Sequence, residues 1–71
     1  MHYELWDTET ANLIGTYDTE EQALSVVLSV IHTRGRSAAG TLFLGVEHED
    51  GASTPVAEGE ALVERALTVA A

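Results

Sequence analysis

The chain has 71 residues, of which 45% are hydrophobic, with twelve acidic side chains against three basic ones and a net charge of −9. That length supports one domain, marginally stable unless a disulfide, a metal or a partner helps, and the absence of cysteine excludes the first of these. A phosphate backbone is held by clustered Lys and Arg, so direct nucleic-acid binding is excluded as a function class, while solubility and electrostatic steering of encounters account for the acidity.

Tyr3 to Asp7 alternates, with Tyr3 and Leu5 on one face and Glu4 and Trp6 on the other. Thr8 to Asn12 carries turn chemistry, because Asp, Thr and Asn side chains bond their own backbone and Asn accepts a positive φ. Leu13 to Tyr17 then returns as a second strand, with Leu13, Gly15 and Tyr17 opposed to Ile14 and Thr16. The pair reads as an antiparallel hairpin with apolar residues on both faces. Helices cover one face of such a sheet; the other needs a different explanation.

Asp18-Thr19-Glu20-Glu21-Gln22 is a helix start. With Asp18 as N-cap, Glu21 stands at N3; with Thr19, Gln22 does, and either makes a capping box. The glutamates suit the positive end of the helix dipole. The helix is expected to run to about Thr33 and to stop at Gly35, with Arg34 at its negative end. Ala23, Leu24, Val26, Val27, Leu28, Val30 and Ile31 cover roughly 200° of it, against the little over 100° that one sheet requires. The excess is expected to meet a second helix or a second subunit.

Arg34 to Gly40 reads as a flexible linker. Thr41 to Val46 is a more continuously apolar strand, fit for the centre of a sheet, and Glu49-Asp50-Gly51 is a hairpin turn. Pro55 confines the next strand, about Thr54 to Ala57, to an edge. Glu58 to Ala71 forms a second amphipathic helix, with Leu62, Val63, Ala66, Leu67, Val69 and Ala70 on one side, fraying at its Ala-rich end.

The order is therefore ββαββα, an α+β fold with a four-stranded antiparallel sheet carrying both helices on one face. A weak internal repeat accompanies it. At an offset of 38, Glu9 matches Glu47, Thr16 matches Thr54, Glu20 matches Glu58, and Ala23-Leu24 match Ala61-Leu62. A duplicated ββα unit is one explanation and chance coincidence of short amphipathic elements the other.

Chemistry is sparse. His2, His32 and His48 lack helical ligand spacing, and in Glu47-His48-Glu49-Asp50 neighbouring strand residues point to opposite faces, so no metal site is expected. Asp7 to Asn12 lacks the central Gly and distal Glu of a calcium loop. No nucleophile elbow, P-loop or dinucleotide fingerprint is present, Ser25, Ser29, Ser37 and Ser53 fall in no catalytic pattern, and no catalytic residue or cofactor is expected. No apolar run approaches 18 residues, so no membrane span is expected. The opening residues lack the charge and apolar pattern of a signal peptide, so the expected location is cytoplasmic.

Two resemblances follow from these residues. Tyr3-Glu4-Leu5-Trp6-Asp7, with Asn12-Leu13-Ile14-Gly15 and Tyr17-Asp18-Thr19-Glu20-Glu21, resembles a group of short bacterial proteins of about this length, and that resemblance implies no activity. Asp18 to Leu24 is similar to the helix start of HicB-type antitoxin domains, which implies a preceding antiparallel sheet and a toxin as partner. Two strands precede the helix here where that family has three, and no DNA-binding tail follows.

The leading expectation is a non-enzymatic interaction or regulatory module acting as an isologous homodimer or small oligomer, the commonest symmetry. Trp6 and Ile14 on the sheet, or Val26 and Val30 on the first helix, are the interface candidates. The alternatives are an acidic, antitoxin-like inhibitor of a basic partner and a small-molecule-binding domain using Tyr3, Trp6, Tyr17 and Phe43.

Overall fold

In a computed structural model, described for residues 1–70, the chain forms β1 (His2–Asp7), β2 (Asn12–Tyr17), α1 (Glu20–Arg34), α2 (Arg36–Ala39), β3 (Leu42–Glu47), β4 (Ser53–Glu58) and α3 (Gly59–Ala70). The four strands make one antiparallel sheet in the order β2-β1-β3-β4. The α+β class and the ββαββα order are as the sequence predicts, with one addition. The expected linker contains the short helix α2, and Gly35, at φ 93, separates it from α1. The last residue expected in the second helix, Ala71, lies outside the described residues.

Each element follows from local chemistry. Thr19 is the N-cap of α1, its Oγ1 accepting from the Gln22 N–H at 3.2 Å. Gln22 reaches back, its Oε1 accepting from the Asp18 N–H at 3.0 Å, one residue earlier than in an ideal capping box. The helix ends where the Gly35 N–H donates to the Ile31 carbonyl at 2.9 Å. In the first hairpin the Asp7 carboxylate accepts from the Glu9 N–H, and the left-handed position falls on Ala11, at φ 58, rather than on Asn12. In the second hairpin Gly51 takes that position, at φ 87. Pro55 lies in an edge strand, as its missing N–H requires.

Leu5 on β1 stands opposite Leu44 on β3, both fully buried, and Leu42 and Val46 share their face. This side carries the helices. Ala23, Leu24 and Val27 of α1, Ala39 of α2, and Leu62, Val63 and Ala66 of α3 join Leu5, Leu42 and Leu44 in one core. The broad apolar surface of α1 is used here: Val26, Leu28, Val30 and Ile31 are half-buried against that core, and α1 packs on both other helices. Val69, expected on the apolar side of the second helix, is 51% exposed.

The ββα unit occurs twice, related by an approximate two-fold at the Leu5–Leu44 pair. Its register is not the offset of 38. Leu5 corresponds to Leu44, Ala23 to Leu62, Leu24 to Val63 and Val27 to Ala66, all at 39, whereas Ala61 is exposed. The irregularities agree as well: β1 slips against β2 between Leu5 and Trp6, and β3 slips against β4 between Leu44 and Gly45. Each edge strand thus carries an extra residue at the same height, a bulge that bends and twists it.

Candidate interaction face

The face of the sheet opposite the helices is set by strand alternation. Counting from Leu5 and Leu44, which point to the helices, His2, Glu4 and Trp6 of β1 and Phe43, Gly45 and Glu47 of β3 point the other way. Across the edge pairings, Leu13 lies beside Trp6, Thr16 beside Glu4, and Glu58 beside Phe43. The result is a row of Leu13, Trp6, Phe43 and Glu58 at one end of the face. Ile14, the bulge residue of β2, flanks it. No helix belongs to this side. Leu13 and Ile14 remain 45% and 43% exposed, and Trp6 and Phe43 are half-buried without joining the core.

Phe43 is held locally. A Cβ built on Gly45 would approach the Phe43 ring to 3.1 Å, so the ring lies along its own strand over the glycine. On the helix side Tyr17 lies over Gly15 in the same way, its hydroxyl 2.6 Å from where a Cβ would stand. Aromatic cover of strand glycines replaces packing that a missing side chain forfeits. The four aromatics therefore divide into two cross-strand pairs on opposite faces. Tyr3 and Tyr17 pack against the core, and Trp6 and Phe43 lie on the open side. They do not converge on one binding site, and the described residues enclose no cavity.

Of the expected interface residues, Trp6 lies on the open side and Ile14 at the exposed bulge beside it. Val26 and Val30 lie half-buried against the core.

At the far end of the open face a second group assembles. His2 stands directly opposite Glu47, with Glu4 two residues along on the same side. His2 Nε2 lies 3.6 Å from a Glu4 carboxylate oxygen and 3.9 Å from one of Glu47. Sequence spacing did not show this group, because it depends on the pairing of two strands some forty residues apart. His48, beside Glu47 in the chain, turns away and meets Thr54 Oγ1 at 2.9 Å.

Two of the cations are committed to the helix side. Arg65 makes a bidentate pair with Glu20, at 2.9 and 3.0 Å, fastening α3 to the start of α1. Arg36 opens α2 and reaches Glu60 at 2.8 Å and Glu64. Hydrogen bonding to these glutamates raises both guanidinium pKa values above the ordinary value. No described helix is long and apolar enough to cross a membrane. No protein-family model matches the chain, and neither a curated protein nor a solved structure is significantly similar to it.

Proposed function

We propose that the chain is a non-enzymatic interaction module of the cytoplasm that acts as a homodimer through the open face of its sheet. The observation that carries this reading is the row of Leu13, Trp6 and Phe43, flanked by exposed Ile14, on the face that bears no helix. One layer of helices protects one face of a sheet, and an apolar second face needs another layer. A flat apolar row suits a macromolecular surface more than a small ligand. Burying a Leu or Ile side chain contributes about 1.5–3 kcal/mol, a large share of the stability of so small a domain.

Geometry also supports a second copy as the occupant. A two-fold axis running along the row, across the strands, lays the row on its own counterpart. The same rotation carries the Glu4 and Glu47 ends to opposite extremes, while Glu58, at the edge-strand end of the row, meets its own counterpart at the rim. Sedimentation at tens of micromolar tests the reading, with a dimer expected; a species of 7.6 kDa throughout defeats it.

The charge of −9, with Glu4, Glu47 and Glu58 on the open side, supports a second reading. An acidic inhibitor would cover this face with a basic protein. Its signature would be a monomer that forms a complex weakened by salt.

A further inference from the structure

We propose that His2, Glu4 and Glu47 form a site for a divalent transition cation of the zinc type. The three side chains come from the two central strands of the sheet, where the backbone is held by pairing on both sides. A site built on strands keeps its geometry better than one on a loop. One imidazole nitrogen and two carboxylate oxygens lie within 4.8 Å of one another. Ligands at about 2.0–2.2 Å from a tetrahedral zinc stand roughly 3.3–3.6 Å apart. The observed 3.6 and 3.9 Å separations from His2 are close to that span, and rotation of the carboxylates closes the remainder.

Charge points the same way. Arg36 and Arg65 are paired with glutamates of α1 and α3, on the helix side of the sheet, rather than with these two carboxylates. In a chain of net charge −9, two adjacent carboxylates gain from a cation that offsets both. The donor set selects the kind of cation. Imidazole with carboxylates suits zinc and its first-row neighbours, whereas calcium and magnesium favour all-oxygen shells with more ligands. Three protein ligands leave one tetrahedral position for water. The apolar row occupies the other end of the face, so the site stays accessible whether or not the chain dimerises.

The experiment uses the full chain with a removable C-terminal tag, leaving His2 unencumbered. Zn²⁺ is titrated by calorimetry, and Co²⁺ by its visible spectrum and by quenching of Trp6, the only tryptophan, which lies two residues beyond Glu4 on the same side. The expected result is one equivalent bound, weakened about 10- to 100-fold or more by His2→Ala and by Glu47→Gln, and unchanged by His48→Ala. The half-exposed positions of His2 and Glu47 allow both variants to fold, which circular dichroism verifies. Saturable binding absent below about 1 mM, or retained in both variants, or lost in His48→Ala, overturns the proposal. So does a preference for Ca²⁺ over Zn²⁺, which would mark a diffuse acidic surface.

Discussion

Replacing Leu13 and Ile14 together by threonine separates dimerisation from folding. The two side chains are 45% and 43% exposed, so the isolated subunit loses little when they become polar, and threonine has the β-branched shape that strands favour. Full burial of such a side chain contributes about 1.5–3 kcal/mol, so covering the remaining near-half contributes about 1 kcal/mol. Two residues in each of two copies give about 4 kcal/mol when all four are fully covered, and about 2 kcal/mol when they sit at the rim. At 1.4 kcal/mol per decade, the dimer dissociation constant should rise roughly 30- to 700-fold. Sedimentation equilibrium over a concentration series reads this directly, and urea unfolding at a concentration where both proteins are monomeric should show a change within about 0.5 kcal/mol. A double variant that dimerises as tightly as the parent would refute the assignment of this face. The same variant losing several kcal/mol as a monomer would refute the placement of the two side chains outside the core.

The other predictions address the scaffold. Leu44→Ala, at a fully buried position opposite Leu5, should cost about 3–5 kcal/mol in urea unfolding, enough to leave a domain of this size largely unfolded; a loss under about 1 kcal/mol would mean the core is elsewhere. Ala11→Gly should stabilise by up to about 1 kcal/mol by relieving the positive φ, read as a higher thermal midpoint, and a lower midpoint would contradict that strain. Arg65→Gln should cost no more than about 1 kcal/mol, because the pair with Glu20 is largely solvated, with the difference shrinking in high salt. The raised guanidinium pKa means the bound proton stabilises the fold, and that contribution disappears only as pH climbs through the raised value. The Arg65→Gln difference should therefore stay flat between about pH 6 and 10, and a change across that range would assign the effect to another group.

Local chemistry made much of the fold legible. The Asp-Thr-Glu-Glu-Gln run announces the start of α1, the apolar run of β3 its central place, and Pro55 the edge. The short helix α2 was not legible, because four residues hold barely one turn and show no periodicity. The internal repeat was visible but misaligned. Identical letters drew Ala23-Leu24 onto Ala61-Leu62, whereas burial equates Leu24 with Val63. Packing conserves volume and position rather than residue identity. For the open face, Trp6 was recognisable by alternation, but Leu13 was not: alternation put it on the face of Gly15 and Tyr17, and the bulge at Ile14 turns it to the side of Trp6. The cluster of His2, Glu4 and Glu47 was not, since it exists only through the β1–β3 register, which no local pattern encodes.

The order β2-β1-β3-β4 also has a kinetic consequence. Each hairpin is a local structure that can close early, but neither half contains a complete core. The step that joins them is the zipping of β1 to β3, two strands separated in the chain by a hairpin and a helix. Non-local pairing of this kind governs folding rate, so the barrier should lie at the seam between two preformed halves. In stopped-flow refolding, Leu44→Ala, at that seam, should slow the folding limb, and Ala11→Gly, in a hairpin already formed when the halves meet, should speed it with little change in unfolding. Leu44→Ala acting mainly on unfolding would place the nucleus inside a single ββα unit, and the chain would then fold as a template and its follower rather than as two halves that meet.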